Sequence, residues 1–138
     1  MNIFEVTFVA AVLTATAPVV LAALGGQLCA AAGVFNIALE GQLLWGAFVA
    51  VVFSHLTGDA WQGVAAAVVA TAAYAALLSV PSVTFRADPI VVAVGTNLLA
   101  LGLTAFLMRS ILGTGGTYSS PDLDGLPTLA EFGLGDLP

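Results

Sequence analysis

The chain has no lysine, one histidine and one cysteine among its 138 residues, and its only basic side chains are Arg86 and Arg109. Each shortage excludes something. Charged residues make up 7% of the sequence, against about 25% in a soluble domain, too few to wet the surface of a chain this size. Two cations against eight acids, a net charge of −6, leave almost nothing to neutralise phosphates, so nucleic acid is excluded as a partner. Without lysine there is no phosphate-binding loop, and nucleotide hydrolysis falls to another polypeptide. Cys29 alone cannot build a disulfide scaffold. His55 lacks the companions of a metal site, and scattered serines give it no catalytic triad. The chain therefore reads as neither an enzyme nor a holder of a metal or cofactor.

What is present is apolar. The apolar set supplies 60% of the residues, and the mean hydropathy is +1.09. Disorder requires the opposite composition. The solvent that fits such a chain is the lipid bilayer, whose core is crossed by about 20 mostly apolar helical residues. Four such runs occur, at about 6–28, 37–56, 61–80 and 90–112. They are apolar at both parities, which rules out the alternation of a membrane barrel. The sequence thus predicts an all-α integral membrane protein. About four transmembrane helices occupy residues 1–112, and 113–138 form an extracytoplasmic polar loop or tail carrying Asp122, Asp124, Glu131 and Asp136.

The breaks carry turn chemistry. Thr57-Gly58-Asp59 is short enough only for an antiparallel helical hairpin, with Asp59 capping the third helix near Trp61. Pro81-Ser82 is expected to stop that helix. Asp88 caps the fourth, with Pro89 at its first position. Pro18 interrupts the first run, and Gly25-Gly26 is expected to end it. A cleaved signal peptide is set aside: the N-terminus has no basic residue, contains Glu5, and its apolar run is too long. Ala22/Gly26, Gly46/Ala50, Gly63/Ala67 and Ala66/Ala70 are spaced four apart, as in membrane helices that pack closely on one another.

The polar residues at membrane depth are the candidates for function, because the bilayer makes them expensive. Asn36 and Glu40 share a helical face, and Gly33 and Gly41 permit a broken helix whose freed backbone must line protein or a watery cavity. Two readings stand side by side. In one, Asn36, Glu40 and Gly41 mark a substrate path or a hinge. In the other, Asn36 caps the second helix and Glu40 sits in its first turn, favoured by the dipole. Asn97, beside Thr96, either lines the path or makes an interhelical hydrogen bond. Cys29 reads as a small packing residue, and Trp45, Trp61 and Tyr74 as interfacial anchors or packing groups.

Three stretches carry a family resemblance. They are Pro18-Val19-Val20-Leu21-Ala22-Ala23-Leu24-Gly25-Gly26, Gly33-Val34-Phe35-Asn36-Ile37-Ala38-Leu39-Glu40-Gly41 with Gly46-Ala47-Phe48, and Arg86-Ala87-Asp88-Pro89-Ile90-Val91-Val92 leading into Asn97-Leu98-Leu99-Ala100-Leu101-Gly102-Leu103-Thr104. Together they resemble the permease subunits of ABC importers for nucleosides and simple sugars, of the branched-chain amino acid/ribose-type superfamily. The resemblance implies a multi-pass protein of the inner or plasma membrane that works by alternating access. Its implied partners are a second permease subunit, separate ATPase subunits and an extracytoplasmic substrate-binding protein. Family permeases are longer, so the chain corresponds to the N-terminal half only, as a fragment or a truncated product. The alternative is a non-transporting membrane scaffold or an inactive truncated permease.

The positive-inside rule has two votes here. Arg109 lies within its helix and can snorkel, so Arg86 decides, placing the loop between the third and fourth spans inside. A cysteine introduced near Ser119 is expected to react with an impermeant thiol reagent from outside, and one near Ser82 is not. The opposite pattern would reverse the orientation and leave the four spans intact.

Overall fold

The computed structural model describes residues 3–115 and Tyr118. Most of the expected polar segment 113–138 lies outside the described residues. The regular elements are α1 (Ile3–Ala31), α2 (Leu39–Thr57), α3 (Ala60–Ser79), a π-helical turn at Val80–Thr84 and α4 (Pro89–Ile111). Among the described residues, four helical segments, the third including the π turn, are long and apolar enough to cross a membrane.

Local chemistry sets most helix ends. Gly58 takes φ 68° beyond α2, and its N–H donates to the Ser54 carbonyl at 2.9 Å. Asp59 Oδ1 then accepts from Trp61 N at 2.9 Å and Asp88 Oδ1 from Ile90 N at 2.8 Å, capping α3 and α4 as their sequences imply. Pro89 fills the first position of α4, where a missing N–H costs nothing. After α1, Gly33 takes φ 81°. Its N–H reaches the Ala30 carbonyl at 3.0 Å, while Val34 N reaches Cys29 O at 3.0 Å. This is the paired closure of a Schellman motif.

Two breaks differ from expectation. First, α1 passes through Pro18 and Gly25-Gly26 without interruption and ends at Ala31. A glycine costs a helix only about 1 kcal/mol, whereas backbone groups released into lipid cost several, so the long apolar run stays helical. Second, α3 ends at Ser79, just before Pro81 as expected, but the chain does not leave helical form there. Proline lacks the N–H for the α-helical ladder, and the chain widens into the π turn through Thr84. There the Pro81 carbonyl accepts from Phe85 N at 3.2 Å and from Ala87 N at 3.0 Å. Arg86, at φ 53°, turns the chain into α4.

Helices α2 and α3 form an antiparallel hairpin, and α4 runs parallel to α2 and packs against both. The 32–38 and 85–88 connections therefore share one end of the bundle, and the 58–59 turn lies at the other. Between lipid-facing helices there is no hydrophobic driving force, so close contact must do the work. A Cβ at Gly63 would sit 2.6 Å from the Ala50 carbonyl oxygen, which marks the tightest crossing of α2 and α3. Ala38, Leu78 and Ala93 form one buried cluster, and Phe48, Val49 and Val52 another. Trp45 stacks on Tyr74 with ring centroids 5.4 Å apart. The Tyr74 hydroxyl crosses to α4 and donates to the Thr96 carbonyl at 2.7 Å. Thr96 and Thr104 return their hydroxyls to their own helix, at Val92 O (2.8 Å) and Ala100 O (2.7 Å). By contrast, the α1 span lies against the bundle with none of its most apolar window buried. At the far end, the Tyr118 hydroxyl approaches His55 Nδ1 at 3.4 Å.

Replacing Gly63 with alanine is expected to force α2 and α3 apart and to destabilise the bundle by about 1–3 kcal/mol. The matched control is Gly95→Ala, where an added Cβ meets nothing within 4 Å and helix propensity improves. Thermal unfolding in detergent, followed as loss of the monodisperse peak, should fall for the first variant and hold or rise for the second.

Candidate functional site at the start of α2

Four N–H groups at a helix start have no partner within the helix. The N-cap of α2 is Ala38, whose methyl group cannot accept a hydrogen bond. Asn97, in the third turn of α4, supplies what Ala38 lacks. Its Oδ1 accepts from Gly41 N at 2.8 Å, and its Nδ2 donates to the Ile37 carbonyl at 3.1 Å. Gly41 and Ile37 are four residues apart and would bond each other in an uninterrupted helix. The Asn97 carboxamide is thus inserted between them. The first bond of the α2 ladder itself is Gln42 N to Ala38 O, at 3.0 Å.

The insertion demands that α4 come very close. A Cβ on Gly41 would lie 2.7 Å from Asn97 Oδ1, 3.0 Å from Asn97 Cα and 3.1 Å from Ala100 Cβ. Gly41 is buried, and Ala100, which faces it, is fully buried. Gly41 is therefore no helix break: it lies within α2 as a close-approach position, and the irregular stretch is 32–38.

Asn36 also departs from the capping role expected of it, because α2 begins two residues later than a helix capped by Asn36 would. Its Oδ1 accepts from Ala38 N at 2.9 Å, a local side-chain turn. Its Nδ2 donates to Gln42 Oε1 at 3.2 Å and reaches Cys29 Sγ at 3.7 Å, tying the end of α1 to α2. Glu40 does occupy the first turn of α2, and it is exposed. It lines a cleft of about 200 Å³ with Gly41, Leu44, Asn97, Leu98 and Leu101.

The structure thus brings Gly41, Asn97 and Glu40 to one cleft, and sets Asn36 on the other flank of α2, beside a cavity of about 480 Å³ that Cys29, Gln42 and Ser79 also line. Sequence reasoning passed over Gln42, whose amide belongs to the Asn36 network. Its place within Gly41-Gln42-Leu43, a polar group one turn into an apolar span, was the available signal. The Tyr74–Thr96 contact left no such signal.

The family model described as the branched-chain amino acid transport system permease component matches residues 8–130. The chain belongs to this family. Among curated relatives, it is 37% identical over 136 residues to the guanosine ABC transporter permease protein NupQ of Bacillus subtilis, covering 94% of this chain and 42% of that protein. It is 28% identical over 138 residues to the nucleoside ABC transporter permease protein NupC of Lactococcus lactis, covering 90% of this chain and 44% of that protein. The chain therefore spans less than half the length of these relatives. No solved structure matches it. As a member of this permease family with four helices able to span the bilayer, it is a multi-pass plasma-membrane protein.

Gly41→Ala is expected to expel the Asn97 amide from the start of α2 and to cost about 1–3 kcal/mol. Glu40→Leu and Glu40→Gln, at an exposed side chain, should each stay within about 0.5 kcal/mol of the unsubstituted chain. Unfolding in detergent, read by tryptophan fluorescence, checks both, and a Glu40→Leu loss as large as that of Gly41→Ala would contradict this assignment.

Proposed function

We propose that the chain is the N-terminal half of the permease subunit of an ABC importer that carries nucleosides, with simple sugars as the second substrate class. The observation that carries this reading is the 37% identity with a guanosine permease across 136 residues. The composition agrees with it. This portion, without lysine, can offer a path but no ATP-hydrolysing loop, and ATPase subunits supply the hydrolysis. A second permease subunit and an outer substrate-binding protein complete the importer.

In this reading the start of α2 is one wall of the path. Irregular backbone at membrane depth is tolerated where it lines a cavity, and transporters place broken helices at such walls. Asn97 and Gly41 hold the wall in shape. Glu40 presents a carboxylate acceptor to the cleft, chemistry suited to the hydroxyl donors of a ribose or hexose. Asn36 sets the angle at which α1 leaves the wall.

A strain lacking this gene is expected to lose most uptake of radiolabelled guanosine, and the complete permease should restore it. Glu40→Leu in the complete permease should lower uptake at unchanged membrane abundance. Unaltered nucleoside and sugar uptake in the deletion strain would favour the non-transporting scaffold. This chain alone, reconstituted in liposomes with the cognate ATPase, should move neither solute.

A further inference from the structure

We infer that α2 has two competing starts, a short one bridged by Asn97 and a long one capped by Asn36, and that withdrawal of the Asn97 amide lengthens the helix by two residues. The short start is the one observed, beginning at Leu39 with the carboxamide inserted between Gly41 N and Ile37 O. The long start is already half built. An N-cap side chain accepts from the second or third residue of its helix. For a helix beginning at Ile37, the cap is Asn36 and the second residue is Ala38. Asn36 Oδ1 already accepts from Ala38 N, at 2.9 Å.

Ala38 stands at φ −81°, ψ 7°, so a rotation of ψ by about 50° to the helical value brings Gly41 N–H onto the Ile37 carbonyl. Once Ile37 also takes helical dihedrals, the Glu40 N–H meets the Asn36 carbonyl as the first bond of the longer ladder. Both backbone groups that Asn97 now holds are satisfied in either form. The difference between the forms is where the Asn97 carboxamide goes, and it borders the cleft lined by Glu40, Leu98 and Leu101.

The consequence is mechanical. A displacement of α4 that removes Asn97 from α2 does not leave backbone unpaired, which the bilayer would resist. It is absorbed by helix growth into the 32–38 connection, and since Asn36 also holds Cys29 and Gln42, the change reaches the end of α1. The device follows from backbone geometry and does not depend on which solute the chain carries.

Amide exchange in detergent tests it without a transport assay. Asn97→Leu removes the bridge at similar size. The Gly41 amide should then exchange within about threefold of the unsubstituted chain, because the ladder closes behind it, and the Ile37 13Cα shift should move to its helical value. In Asn36→Ala/Asn97→Leu, which lacks both the bridge and the cap, Gly41 exchange should rise about tenfold or more. The proposal is overturned if Asn97→Leu alone frees the Gly41 amide as fully as the double variant does, with Ile37 unchanged. Asn97→Ala gives the same readouts should the leucine variant not express. Failure of both to fold would equally overturn it, since a self-capped long start needs no amide at position 97.

Discussion

In a bilayer every backbone donor and acceptor must find a partner inside the protein, and the rest of this structure depends on how that demand is met at the start of α2. Most helix ends here meet it locally. Asp59 and Asp88 cap their own helices, and Gly33 and Gly58 close the preceding ones. The start of α2 does not, because alanine stands at its N-cap. A side chain from 56 residues away supplies the missing acceptor. A local backbone requirement thereby becomes a tertiary contact, and it fixes how α4 lies along α2.

That contact sets the demand for small residues around it. Asn97 can reach the α2 backbone because position 41 has no side chain and position 100 has only a methyl group. The same logic recurs at the α2–α3 crossing, where Gly63 meets the Ala50 carbonyl. The bundle is held by closeness of backbones, a few aromatic contacts around Trp45 and Tyr74, and single polar bridges. Large apolar side chains such as Leu28, Val69 and Phe106 point away from it, as suits a surface solvated by lipid.

Much of the architecture was legible in the sequence because it is local or compositional. The four apolar runs, the Thr57-Gly58-Asp59 hairpin and the Asp88-Pro89 start depend on neighbours a few residues apart. What differs is that α1 runs on past Gly25-Gly26 and that a π turn follows the end of α3 at Pro81. In water a released N–H finds solvent, whereas in lipid it does not, so there the helix continues or widens. The site was legible only in its members. Asn36, Glu40, Gly41 and Asn97 stood out as polar or permissive groups at depth, but nothing in spacing pairs Asn97 with Gly41. The reading of Asn36 as a cap followed sound local rules. It failed because a rival acceptor from another helix occupies the backbone pair that the longer helix would use.

The central claim is that the Asn97 side chain stands in place of the Gly41–Ile37 backbone bond. Scalar couplings across hydrogen bonds report donor and acceptor directly, and the measurement is the coupling of the Gly41 amide 15N in the unsubstituted chain, labelled with 13C and 15N in detergent micelles. The account requires a coupling from Gly41 15N to the side-chain carbonyl carbon of Asn97. A coupling from Gly41 15N to the Ile37 carbonyl carbon instead would show an ordinary helical bond there and contradict it.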